Sequence, residues 1–146
     1  MVRRVFLALD QKRRLRVKYW SVKSSRGGLR EIAPHALGYD GCRWHVRAWC
    51  FENGGFRDFV LSRMEDADWP GDLFTSSVVD EDWERMETVI LRPHSGLNED
   101  QRKGIIRDYG MKGDELKVRV RAAMKEYFLA QWRVPGPERP AHLELG

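Results

Sequence analysis

Short runs of alternating apolar and polar residues fill the first half of the chain and restrict what it can fold into. In RLRVKYW, residues 14–20, Leu15, Val17 and Tyr19 alternate with other side chains, as in a strand with one buried face. Similar runs, separated by turns, follow at residues 29–33, 43–50 and 56–64. Proline cannot donate to a strand ladder, so Pro34 is expected to end the second run. Several short strands joined by tight turns are typical of a small antiparallel barrel.

A different pattern begins after residue 68. Residues 69–87 are acidic and contain a Trp-Pro-Gly turn, so they are interpreted as a linker. Beyond them the spacing predicts a β-α-β-α domain, whose first helix begins at Asn98, with Gln101 completing a capping box, and ends near Gly110. A disordered or extended tail is expected from Pro135, Pro137 and Pro140. The expected order is an N-terminal helix, a barrel, an acidic linker, an α/β domain and a proline-rich tail, at residues 1–13, 14–68, 69–87, 88–133 and 134–146.

Composition excludes several classes of protein. The 146-residue chain has 42% hydrophobic residues, which is enough to form a core, and 33% charged residues, which predict a soluble surface. No apolar run approaches the roughly 20 residues needed to cross a bilayer, so no membrane partner is expected. Its two cysteines, Cys42 and Cys50, form no disulfide framework, so we expect a reduced, cytoplasmic protein, although a secreted domain could pair the two. Cys50 is interpreted as a small buried hydrophobe. Neither a zinc site nor a cofactor is expected.

Charge is strongly segregated along the chain. Residues 1–63 contain 14 Lys and Arg against 5 Asp and Glu, whereas residues 64–100 contain 2 against 11. A basic third followed by an acidic third indicates two functional zones, and the basic zone favours an anionic partner. The alternative is a basic face that is simply solvated.

The run RWHVRAWC at residues 43–50 has two faces of different character. As a strand it places Trp44, Val46, Ala48 and Cys50 on one face, which is interpreted as core, and Arg43, His45, Arg47 and Trp49 on the other. Arginine offers a planar fork that matches phosphate oxygens, and the rings of histidine and tryptophan stack on bases. Polar residues of the predicted strands and turns then give a candidate ligand-binding set of Tyr19, Ser21, Arg30, His35, His45, Arg47, Arg57 and Arg63.

This set predicts a nucleotide or a short single-stranded nucleic acid as ligand, with His45 and Arg47 facing it. Arg47→Ala and His45→Ala are then expected to weaken binding more than the fold, and Trp44→Ala to do the reverse. No serine or cysteine lies beside an evident base, and no paired carboxylates or phosphate-binding loop occur on the basic strands, so no catalytic residue is assigned. A nuclease acting through His35 and His45 is the remaining enzymatic alternative.

Four segments together resemble a WYL domain: VKYWS, REIAPHAL, RWHVRAWC and FRDFVLSRM. The triplet that matches the family name is Trp44-His45-Val46, and the chain is most similar to WYL regulators of bacterial phage-defence islands. The resemblance continues through LRPHSGLNEDQRKGIIRDYGM and VRAAMKEYFLAQW, which look like the C-terminal domain of those regulators. It implies an Sm/SH3-like barrel followed by a small α/β dimerisation domain, a homodimer, and the sensing of a nucleotide or nucleic acid by a transcriptional regulator.

Those regulators bind DNA through an N-terminal winged helix, and only about 13 residues precede the predicted barrel here. We therefore expect residues 1–146 not to recognise a duplex sequence, since DNA would be bound only through such a winged helix. The sequence favours a ligand-sensing regulatory module. The alternative is a stand-alone protein that binds single-stranded nucleic acid.

Overall fold

The alternating runs form one antiparallel sheet in the computed structural model, which describes residues 1–24, 26–136 and 141–146. The chain divides into two units, Met1–Asp80 and Glu81–Gly146. The sheet of the first unit has the strand order β4-β3-β2-β1-β5. Its strands are β1 Leu15–Tyr19, β2 Gly28–Tyr39, β3 Trp44–Cys50, β4 Gly55–Val60 and β5 Met64–Ala67.

The core of the first unit lies on one face of this sheet. Helix α1, Val2–Asp10, buries Val5 and Ala8 in the same apolar cluster as the inward-facing strand residues. Those strand residues follow the predicted alternation, because Leu15, Val17 and Tyr19 are buried while their neighbours on β1 are less so. The cluster also includes Ile32, Val46, Ala48, Cys50, Phe59, Met64 and Ala67.

Three expectations for this unit need correction. The sheet is not closed into a barrel within the described residues, since β4 and β5 are its two outer strands. Strand β2 does not stop at Pro34; a register shift between Pro34 and Ala36 forms a bulge, where the missing proline N–H is tolerated. Trp44 is 51% exposed and was wrongly assigned to the core, because it begins β3 at the hairpin end and pairs there with exposed Tyr39.

In the described residues, the second unit combines a three-stranded sheet with three α-helices. Its strands are β6 Met86–Pro93, β7 Leu116–Arg121 and β8 Leu143–Leu145, in the order β7-β6-β8. Its helices are α2 Glu81–Glu84, α3 Glu99–Asp108 and α4 Lys125–Gln131. The core contains Val89, Leu91, Met111, Leu129 and Leu143.

Local signals in this unit are confirmed. Asn98 and Gln101 form the predicted capping box at the start of α3, and Gly110 beyond its end has a φ of 60°. Of the predicted tail, Pro137 and Pro140 lie outside the described residues, whereas the last strand pairs with β6. Within residues 1–24, 26–136 and 141–146, no helix combines the length and apolarity needed to span a membrane.

Candidate ligand-binding site

Arg47 lies at the centre of a buried ionic cluster. Because Val46 and Ala48 face the core, Arg47 points to the opposite, outer face of β3, yet it is only 7% exposed. Its Nε donates to Asp80 Oδ2 at 2.7 Å and its Nη2 to Asp80 Oδ1 at 2.9 Å. This is the bidentate arrangement in which a guanidinium holds a carboxylate or a phosphate.

A second carboxylate reaches the same guanidinium from the neighbouring strand. Asp58 lies directly opposite Arg47 in the register of β3 and β4, and its Oδ1 is 3.3 Å from Arg47 Nη1. The hydrogen bonds to Asp80, followed by the nearby charge of Asp58, raise the pKa of Arg47 above its usual value, against the opposing effect of burial. Arg47 is therefore a cation held between two acidic side chains.

His35 joins this cluster through the bulge in β2. Pro34 pairs with Ala48 and Ala36 with Arg47, so His35 is the additional residue of the bulged strand. Its Nε2 lies 2.8 Å from Asp80 Oδ2, and its side chain is 33% exposed. His35 and Arg47 thus contact the same carboxylate, and His35 is the partly exposed member of the cluster.

Aromatic rings lie beside this ionic cluster. Trp49, two residues from Arg47 on the same face of β3, contacts Phe56 edge-on at 5.1 Å between ring centroids, and Phe56 contacts the His35 ring at the same distance. Phe74 approaches Trp49 at 6.3 Å and Phe51 at 4.8 Å. Phe74 and Asp80 belong to the segment that follows β5, residues 68–80, here called the covering segment, and both contact side chains on the outer face of the sheet.

His45 has a different environment from Arg47. It is 1% exposed, and its Nε2 lies 2.7 Å from Asp40 Oδ2 in the turn between β2 and β3. Asp40 Oδ1 also accepts hydrogen bonds from the backbone N–H groups of Cys42 and Arg43. Burial alone would raise the pKa of Asp40, but the hydrogen bonds with His45, Arg43 and Cys42 outweigh it and lower that pKa to about 2. The contact between His45 and Asp40 therefore stabilises the turn between β2 and β3.

The other predicted site residues are not gathered at Arg47. Tyr19 lies in the core, where its hydroxyl accepts from the N–H of Val60. Ser21 Oγ accepts from the Ser24 N–H, and Arg30 forms an ion pair with Glu52 at 3.4 Å. Arg57 is exposed on β4, and Arg63 ends a 3-10 turn between β4 and β5.

Sequence reasoning missed the two carboxylates that hold Arg47. Asp58 had a usable signal, because the hairpin between β3 and β4 places it across from Arg47. Asp80 had none, since it was one acidic residue among many in the predicted linker. In the described part of the chain, no group of three or more His, Cys, Asp or Glu side chains is arranged to hold a metal ion.

Two protein-family models match this chain. Residues 1–69 match the WYL domain, and residues 86–144 match the C-terminal dimerization domain of the BrxR transcriptional regulator. The structure of the proteasome accessory factor B/C of Arthrobacter aurescens aligns with 97% of this chain and 23% of its own, at 21% identity and a TM-score of 0.46. A likeness that distant carries no functional argument.

Similar proteins include DNA-binding transcriptional repressors. The DNA-binding transcriptional repressor CapW of Pseudomonas aeruginosa is 39% identical over 134 residues, which are 90% of this chain and 45% of the repressor. CapW of Stenotrophomonas maltophilia is 41% identical over 119 residues, 79% of this chain and 39% of the repressor. The chain thus spans less than half the length of these relatives. It belongs to the WYL-domain family, with a WYL domain followed by a dimerization domain of the BrxR type.

Proposed function

We propose that this chain is the ligand-sensing and dimerising part of a transcriptional regulator, and that it binds a nucleotide or a short single strand by a phosphate group. The observation that carries the proposal is the convergence of Arg47 and His35 on the two oxygens of one carboxylate. A guanidinium fork beside an imidazole holds phosphate oxygens by the same hydrogen bonds. The names of the relatives support a regulatory role.

Features around the site support a ligand that has bases as well as phosphate. Trp49 and Phe56 lie next to the ionic cluster, and the exposed rings of Tyr39 and Trp44 pack at 5.1 Å between centroids at the hairpin end. Exposed aromatic faces provide stacking surfaces for bases. The excess of Lys and Arg in residues 1–63 favours an anionic partner.

The strand connections support an open Sm/SH3-like barrel for the first unit. Val60 ends β4 and Met64 begins β5, although these strands are at opposite edges of the five-stranded sheet. Four residues span at most about 14 Å, whereas the outer strands of a flat five-stranded sheet would be about 19 Å apart. The sheet must therefore curl, which brings its edges closer without hydrogen bonds between them in the described residues.

The second unit supports the homodimer. Helix α3 has no buried residue, and Ile105, Ile106 and Tyr109 are only half-buried in a single chain. Leu145 on β8 is 56% exposed. A second copy covering such side chains would remove apolar surface from water. Light scattering should show a dimer at tens of micromolar, and a monomer at that concentration contradicts the assignment.

Binding is tested with a fluorescein-labelled oligodeoxythymidylate of about eight nucleotides, by fluorescence anisotropy. His35→Ala and Arg47→Lys each remove one oxyanion contact, and loss of a charge-assisted hydrogen bond should weaken binding about 10- to 100-fold. Arg16→Lys is the matched control, because that side chain is 59% exposed and lies 3.9 Å from Asp68. No binding by the unmodified chain, or equal binding by all three variants, contradicts the proposed site.

The same probe separates the second candidate function, a protein that binds single strands. If the protein binds single strands, its affinity for the probe should fall steeply with salt, because a strand contacts several phosphates. If it senses a nucleotide, AMP should compete with the probe, and that competition should depend on salt only weakly. A nuclease remains the third candidate, and shortening of the labelled probe without added metal would support it.

A further inference from the structure

We propose that the Asp80 carboxylate occupies the place of the ligand's phosphate, and that the ligand binds by displacing Asp80 and releasing residues 75–80 of the covering segment. This inference rests on the proposed function and adds how the site is regulated. Asp80 presents two oxygens to Arg47 at 2.7 and 2.9 Å and one of them to His35 at 2.8 Å, as a bound phosphate would.

The charges around Arg47 require one anion to leave before another binds. Asp58 and Asp80 already face the single guanidinium, with side chains that are 13% and 5% exposed. A phosphate added to this pair would be a third anion within a few ångströms, and like charges in a poorly solvated site repel strongly. The ligand therefore competes with a carboxylate for the same donors.

Asp80, not Asp58, is the carboxylate that can move. Asp58 is fixed by its place in β4, directly across from Arg47. Asp80 follows residues 75–79, which are mainly exposed, with Val78 at 55% and Val79 at 66%. Withdrawing Asp80 breaks its ionic contacts but moves little buried apolar surface.

The start of the covering segment provides a fixed point for this motion. The N–H of Asp68 donates to the carbonyl of Arg16, and the N–H of Phe74 to that of Lys12, both at 2.8 Å. Residues 75–80 can therefore detach while residues 68–74 stay in place. Because Asp80 is the last residue of the first unit, its release lengthens the free chain immediately before Glu81. Ligand binding at Arg47 would in this way change the link to the dimerization domain.

The occupied site lowers the apparent affinity for ligand. A ligand that binds only the open state has an apparent Kd increased by the inverse of the open fraction. A bidentate, charge-assisted pair keeps that fraction small. Removing the Asp80 charge should therefore strengthen binding of the oligodeoxythymidylate by about 10-fold or more.

The test compares Asp80→Asn with Asp68→Asn. Asp68 is the matched control because it belongs to the same segment, is 63% exposed and loses the same charge. Anisotropy should show about 10-fold tighter binding for Asp80→Asn and less than about a twofold change for Asp68→Asn. A second measurement uses the unmodified chain: saturation with the oligodeoxythymidylate should accelerate amide hydrogen exchange in residues 75–80 and leave that of β1 unchanged.

The possible outcomes separate this inference from the proposed function. Binding by the unmodified chain that Asp80→Asn leaves unchanged or weakens overturns the displacement of Asp80 and leaves the binding function intact. Unchanged exchange in residues 75–80 at saturation does the same, even where Asp80→Asn fails to fold. No binding by either protein overturns the proposed function and this inference with it.

Discussion

Arg47→Ala should destabilise the first unit severely, contrary to the small effect expected from the sequence. Arg47 is 7% exposed, and its guanidinium contacts Asp80 at 2.7 and 2.9 Å and Asp58 at 3.3 Å. Alanine would leave two poorly solvated carboxylates without this cation. Breaking a buried ion pair by removing one partner costs about 3–5 kcal/mol, several times the cost of losing an exposed arginine, which is usually below about 0.5 kcal/mol.

The measurement is urea unfolding followed by tryptophan fluorescence and circular dichroism, together with thermal melting. For a unit of this size each kcal/mol shifts Tm by about 4–8 °C, so the expected fall in Tm is about 12 °C or more. Arg16→Ala is the control and should leave stability within about 0.5 kcal/mol, because Arg16 is 59% exposed and its ion pair with Asp68 is 3.9 Å long. An Arg47→Ala protein as stable as this control would refute the buried ionic cluster.

Three further predictions concern residues outside that cluster. Trp44→Ala should change the free energy of unfolding by less than about 0.5 kcal/mol, since Trp44 is 51% exposed; a loss above about 3 kcal/mol would return it to the core. Leu143→Ala should cost about 2–5 kcal/mol in urea unfolding, because Leu143 is fully buried; a neutral result would mean that β8 does not pack. Asp40 has a folded pKa of about 2 against 3.8 ordinarily, so the stabilisation it provides is complete above about pH 5 and lost as pH falls toward 2. Thermal melts of Asp40→Asn should therefore differ from those of the unmodified chain at neutral pH and converge with them in acid.

Local signals in the sequence predicted several elements of the fold. The capping pair Asn98 and Gln101 acts on the backbone immediately around it, so its effect can be read within a few residues. Strand β8 could not be found this way. It has three residues and is stabilised by pairing with β6, about 50 residues earlier, so no local pattern marks it.

The candidate site was predictable only in part for the same reason. Alternation correctly placed Arg47 on the face opposite Val46 and Ala48, but a residue that points away from one core is not thereby exposed. What covers Arg47 is Asp80, which lies 33 residues further along the chain. The bulge that adds His35 is likewise a consequence of pairing between strands. The position of a residue in a strand tells which face of the sheet its side chain is on, and only the tertiary fold tells whether that side chain is buried.

In the proposed function, one arginine would serve both stability and recognition through the same atoms, which decides how the two roles can be separated. Arg47→Ala removes the cation that holds Asp58 and Asp80, so loss of binding and loss of folding would coincide in that variant. A substitution at Asp80 leaves Arg47 balanced by Asp58 and changes only the competing anion. Exchange of one anion for another also keeps the guanidinium paired in both states, so switching avoids the cost of an uncompensated buried charge. A sensor of this kind opens only as far as the ligand binds Arg47 and His35 better than Asp80 does.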